Sequence, residues 1–338
     1  MNDIRRTILW VIFGFSMVLL WDKWQLHNGN KATFFPSPAA VGAAAPAAGA
    51  SAPLAGAASV PASTAPAVAS IGASAVPGTP APAAPAAREK IEVTTDVYRL
   101  TFDGEGGSLT HAELLKHADM TDKAKNFVLF DESTQRVYVA QTGLIGGSFP
   151  THKTVMTAVP GPRALKDGEN ELTIRFESPE QGGVKLVKTW TLKRGAYDIA
   201  VKHEVVNVGS TAVSPQLYLQ LVRDGNKPPG ESSFYSTFTG PAVYTDAKKY
   251  QKIEFKDIEN GKVDIPKESP NGYVAMVQHY FASAWLLADG VQRELFTRKV
   301  SDNLYSVGMI TPLGNIDPGT TKVVDARLFA GPQVETMM

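Results

Sequence analysis

Six histidines, at positions 27, 111, 117, 152, 203 and 279, are the side chains best suited to proton transfer or metal binding in a chain that has no cysteine. None lies in an HExxH pattern, and no cluster has the spacing of zinc ligands. His111 and His117 share one face only if the whole intervening segment is a strand, and Glu113-Leu114-Leu115 offers no third ligand, so both read as surface histidines. His203 falls in phase with Ile199, Val201 and Val205, which marks a histidine at the edge of a core. Its neighbour Glu204 must point to the opposite face of a strand and cannot pair with it. Gly104-Glu105-Gly106-Gly107 shares only its glycines with a phosphate loop, because no Lys-Ser/Thr and no helix follow. It reads as a strand-connecting turn, and Gly143-Leu144-Ile145-Gly146-Gly147 reads the same way. No nucleophile, base and oxyanion donors assemble. The residues therefore predict no catalytic site, no metal and no cofactor, and describe a binding module rather than an enzyme. The densest basic cluster is Lys248-Lys249-Tyr250-Gln251-Lys252, by default a solvated loop. Its alternative meaning is a contact for an acidic partner through Lys248, Lys249 and Lys252.

The elements that carry these residues have a period of two almost throughout. Tyr98-Arg99-Leu100-Thr101-Phe102, Glu171–Phe176 and Leu304–Val307 alternate as half-buried strands do. Val184–Leu192 and Asp198–Asn207 flank a short turn with Gly195, which predicts a hairpin of two long antiparallel strands. Asp103-Gly104, Asp167-Gly168, Asp224-Gly225 and Asn260-Gly261 punctuate the rest. Short helices are expected at most over Asp119–Lys125 or Ala282–Ala288. The fold class is all-β, a sandwich of antiparallel strands over 90–331 with a few short helices. At about 250 residues it can bury a large core as one domain or a fused pair.

Ahead of it stand two segments of different character. Thr7–Trp21 is free of charge, and extension to Ile4 and Trp24 gives a helix long enough for a bilayer core of about 30 Å. A membrane anchor is expected over 7–24, flanked by Arg5 and Arg6 on one side and by Trp21 and Trp24 on the other. The arginine pair places residues 1–6 in the cytoplasm and everything after the span across the membrane. A cleaved secretory signal is the competing reading, but Trp21–Leu26 offers no small-x-small site. Residues 32–87 carry no charge and ten prolines, which makes 25–89 a flexible, disordered linker. The chain as a whole balances 33 basic against 33 acidic residues, which excludes a nucleic-acid binder held by phosphate contacts.

The order of anchor, low-complexity linker and large β-domain resembles the YidC/Oxa/Alb insertase family. The resemblance is carried by Thr95–Thr101 with Gly106-Gly107, by Gln141-Thr142-Gly143-Leu144, by Leu192–Tyr197 and by Phe238–Tyr244 with Lys249-Tyr250. Gly272–Trp285 is the longest stretch, and Leu328–Gln333 closes the series. What the resemblance implies is a periplasmic β-supersandwich with a cleft and a helical C-terminal edge, held at the cell inner membrane. It further implies a role in inserting and folding nascent inner-membrane proteins, alone or with the Sec translocon, and a link between the periplasmic domain and SecDF. Contact with the lipid bilayer would run through the N-terminal helix. One departure stands out: the family's core of five further membrane helices has no counterpart, since no stretch after Trp21 approaches eighteen apolar residues. Residues 332–338 look like the start of a helix leading to that core, with Pro332 in its first turn. By itself the chain is expected to insert nothing. The alternative is a membrane-anchored, mutarotase-like sugar-binding protein or epimerase, which needs a histidine and a carboxylate converging from different strands. A plain structural adaptor without a ligand is the third reading.

Overall fold

The structure is a computed structural model that describes residues 89–228 and 237–333. The expected anchor with Arg5, Arg6, Trp21 and Trp24 lies outside the described residues, as do the linker up to position 88 and residues 334–338. Among the described residues no helix is long and apolar enough to cross a membrane.

Alternation builds the sheets. The chain opens with β1 (Lys90–Thr94), β2 (Tyr98–Asp103), β3 (Ser108–Ala118), β4 (Asn126–Glu132) and β5 (Val137–Ile145). Next come β6 (Thr157–Ala158), β7 (Glu171–Glu177), β8 (Val184–Lys193), β9 (Asp198–Asn207) and β10 (Gln216–Asp224). After β11 (Thr239–Thr245) and β12 (Lys249–Lys252) a single helical turn, α1 (Phe255–Glu259), leads to β13 (Glu268–Ser269) and β14 (Tyr273–Gln278). The last strands are β15 (Phe281–Leu287), β16 (Arg293–Ser301), β17 (Leu304–Pro312) and β18 (Thr321–Pro332). They form two nine-stranded sheets, ordered β1-β2-β3-β4-β5-β10-β17-β16-β13 and β12-β11-β14-β15-β18-β9-β8-β7-β6. The named strands pair antiparallel throughout. The expected all-β architecture is therefore present, with the expected hairpin as β8 and β9 around Gly195 in the left-handed region.

The core lies between the sheets. Leu172, Ile174 and Phe176 on β7 face inward, and so do Leu186, Trp190 and Leu192 on β8. Phe102 of the first sheet packs its ring 5.1 Å from Trp190 and 5.8 Å from Phe176 of the second. Trp285 donates its indole N–H to the Gln220 carbonyl across the same gap, at 3.1 Å. Emptying either indole's place leaves a cavity that costs about 3–5 kcal/mol.

Several local expectations differ from what the structure shows. Ala282–Ala288 is not a helix but most of β15, held between β14 and β18. Phe281, Ser283 and Trp285 are buried, and so are Ala282 and Ala284 on the opposite face. A strand buried on both faces shows no alternation, and its alanines imitate helix. Asp119–Lys125 is a turn, because the Asp119 carboxylate accepts from the backbone N–H groups of Thr121 and Asp122 and so competes with helix. Pro332 itself ends β18, paired with Phe281, rather than standing in a helical turn, and residues 334–338 of the expected helix lie outside the described residues. The Gly104–Gly107 turn is as expected, with Gly106 and Gly107 at positive φ. Gly143, Leu144 and Ile145, by contrast, belong to β5, where a Cβ on Gly143 would meet the Tyr218 hydroxyl at 2.5 Å.

Candidate functional site

Two constructions could support chemistry or binding, one between the sheets and one outside them. Between the sheets, Lys188 and His203 are cross-strand neighbours on β8 and β9, and neither is exposed. Lys188 Nζ donates to the carbonyls of Gly106 and Thr142, both at 2.6 Å. His203 Nε2 lies 2.9 Å from the Thr142 hydroxyl. His152 Nδ1 sits 2.6 Å from the Tyr218 hydroxyl, which also accepts from the His152 backbone N–H. Burial pushes the Lys188 ammonium down to about 7. Burial first, and then the Lys188 charge, pushes His203 and His152 down to about 3. A histidine beside a threonine hydroxyl is half of a nucleophile–base pair, but here no carboxylate orients the ring and no substrate can reach it. What the cluster does is tie the sheets: each of these bonds from Lys188 and His203 ends on the first sheet or its β2–β3 turn. His203 is thus wholly interior rather than at a core edge. Glu204 points away from it and pairs with Arg175, as its strand position requires.

Outside, the second sheet presents a groove of about 870 Å³. One cross-strand row runs along its floor, from Thr173 through Thr191, Ala200, Arg327 and Leu286 to Tyr273 and Tyr244. A second row places Thr189, Lys202 and Asp325 in register beside it. At one end the Tyr244 and Tyr273 rings stack at 5.4 Å and 10°. The wall above them is built by Arg293, which is 1 % exposed. Its guanidinium donates to the carbonyls of Pro270, Gly272, Leu287, Ala288 and Val291. Gly272 sits at φ +93°, where a Cβ would come within 1.9 Å of the Tyr244 carbonyl oxygen, so only glycine fits. Neither Arg293 nor the groove was singled out by sequence reasoning.

The basic cluster lies on an edge. Lys249 and Lys252 belong to β12, the outermost strand of the second sheet. Lys248 Nζ is 2.8 Å from Asp264, and Lys249 Nζ is 4.0 Å from Asp246. Lys252 Nζ lies 5.2 Å over the Phe238 ring. The cluster is therefore part edge strand rather than loop, with partners of its own. His111 and His117 do sit on one strand, β3, but they engage Asp131 at 3.5 Å and Tyr197 at 3.0 Å separately. Among the described residues no group of three or more such side chains could hold a metal ion.

Against known families, the model of the YidC periplasmic domain matches residues 90–338. The chain belongs to the YidC family. The membrane protein insertase YidC of Janthinobacterium sp. (strain Marseille) is 47 % identical over 333 residues, covering 98 % of this chain and 58 % of that protein. The YidC of Cupriavidus necator is 49 % identical over 336 residues, covering 99 % of this chain and 59 % of that protein. The chain thus spans less than two thirds of the YidC relatives it matches. Among solved structures, a galactose mutarotase related enzyme from Lactobacillus acidophilus aligns at a TM-score of 0.45 and 9 % identity, over 72 % of this chain and 97 % of that one. At that score the likeness carries no functional weight. The YidC match takes in both sheets, the inter-sheet cluster and the outer groove together.

Proposed function

We propose that this chain is the membrane-anchored, periplasmic part of an inner-membrane protein insertase, and that its β-domain docks partners while insertion itself is done elsewhere in the whole protein. The carrying observation is the YidC periplasmic-domain match over 90–338, together with relatives named membrane protein insertase at 47–49 % identity. Its partners are nascent inner-membrane proteins and the Sec translocon, with SecDF meeting the periplasmic domain. Insertion needs no nucleotide in this scheme. A hydrophilic path lowers the cost of moving polar segments through lipid, and apolar segments leave sideways by hydrophobic transfer. The domain acts without bond chemistry, which agrees with an inter-sheet histidine that substrate cannot approach. The β12 edge is the surface offered to an acidic partner, through Lys248, Lys249 and Lys252.

The test uses the intact insertase in native inner membranes. Removing most of residues 90–320 should weaken SecDF co-purification while insertion of a reporter protein largely persists. Loss of all insertion on that deletion contradicts the division of labour. Charge reversal at Lys248, Lys249 and Lys252 should reproduce the weakened co-purification, and an unchanged yield removes the β12 edge from the contact.

A further inference from the structure

We infer that the outer groove of the second sheet is a binding site for a neutral oligosaccharide, a ligand that goes beyond the insertase reading and does not rest on it. The groove is built, not incidental. A buried guanidinium fixes its wall through five backbone carbonyls, and Gly272 holds a backbone conformation that no other residue would keep there. The glycine costs conformational entropy on folding, and neither feature takes part in the pairing of the strands themselves.

The floor selects the ligand class. Thr173, Thr189 and Thr191 present short hydroxyls that make no hydrogen bond within the protein, while Lys202 and Asp325 face each other in register without forming an ion pair. Donors and acceptors therefore stand uncommitted side by side, and the two signs of charge nearly cancel. That suits a ligand whose every hydroxyl both gives and accepts, and it disfavours a polyanion. Tyr273, half-buried beside Leu286, supplies an aromatic wall of the kind on which the apolar face of a sugar ring packs. The row crosses seven strands, from β7 to β11, or about 29 Å at the usual inter-strand spacing, which accommodates several sugar rings.

An extended polypeptide is the rival occupant, and the geometry argues against it. Peptide addition to a sheet uses the unpaired N–H and C=O groups of an edge. Here the floor is the face of seven consecutive paired strands, whose main-chain groups are already used in the sheet. Nor does the floor offer the deep apolar pockets that would hold alternate side chains, since threonine, alanine and charged residues occupy most of it.

The experiment is calorimetric titration of the full chain in lipid nanodiscs, which avoids sugar detergents, with cellohexaose and N-acetylchitohexaose as probes. Saturable binding of at least one is expected, weakened about tenfold by Tyr273→Ala and several-fold by Thr191→Val. Thr191→Val preserves volume, so it keeps the test valid if the tyrosine variant fails to fold. Absence of saturable heat with both glycans overturns the proposal. Binding that neither variant alters overturns it too, as does displacement of bound glycan by an apolar peptide. Reporter insertion by the intact insertase is a separate readout, so failure here and failure of the insertase reading are told apart.

Discussion

Replacing Arg293 by methionine is expected to lower the stability of the β-domain by about 3–5 kcal/mol, an unusually large loss for one side chain. The guanidinium makes five hydrogen bonds, all to main-chain carbonyls of the 270–272 and 287–291 segments, the shortest at 2.6 Å to Ala288. Methionine fills much of the volume but donates to none of these carbonyls; those of Pro270 and Ala288 keep the backbone N–H groups of Gly290 and Val291, while any left without a second donor must open to water or stay unpaired. Arg293→Lys should rescue little, because an ammonium has three donors on a flexible stem and cannot span a fan of carbonyls that a planar fork does. Urea unfolding followed by the fluorescence of Trp190 and Trp285 measures both variants. A loss under about 1 kcal/mol for methionine would show that Arg293 is only packing, and full rescue by lysine would show that the planar fork is not required.

Lys188→Met is expected to change the shape of the pH–stability curve rather than only its height. In the folded domain the ammonium is pushed down to about 7 by burial, against 10.5 when unfolded. Between those values the unfolded chain holds a proton that the folded one has released, so stability must rise with pH across that window. The rise approaches about 1.4 kcal/mol per pH unit for one group, or roughly 3 kcal/mol between pH 7 and 9.5. Methionine removes it. His203 and His152, held near 3 against 6.5, act in the acid range: their contribution is complete above 6.5 and lost as pH falls through 3. That limb should persist in the variant, slightly displaced, because burial outweighs the lysine charge in both shifts. Denaturant melts of wild type and variant from pH 4 to 9.5 check this. Parallel curves above pH 7 would mean that Lys188 stays charged in the fold.

How far such features could be read beforehand depended on how local they are. The β8–β9 hairpin was legible almost to the residue, since Leu186, Trp190 and Leu192 alternate with polar positions and Gly195 marks the turn. Lys188 carried a signal in the same alternation: it stands in phase with Leu186 and Trp190, at a position that must face the core. Beta-strand β15 was misread because both of its faces are buried and its alanines carry helical preference. Arg293 and the groove had no local signature. The row from Thr173 to Tyr244 draws residues from seven strands, and its continuity exists only once β18 lies between β9 and β15. The resemblance stretches, in contrast, marked the family without showing what any surface does.

That placement of β18 also sets a timetable. The strand at the centre of the second sheet is the last of the described strands to be made, and in the first sheet β17 arrives almost as late between β10 and β16. Some 125 residues separate the end of β9 from the end of β18, roughly 6–25 s of synthesis at ordinary rates. Throughout that interval β9 lacks its β18 neighbour, and β15 lacks it too once made, so their edges are open to the wrong strand. The second sheet therefore closes only once β18 has emerged, through pairings distant in sequence that form slowly. For those seconds the domain is itself a chain in need of protection.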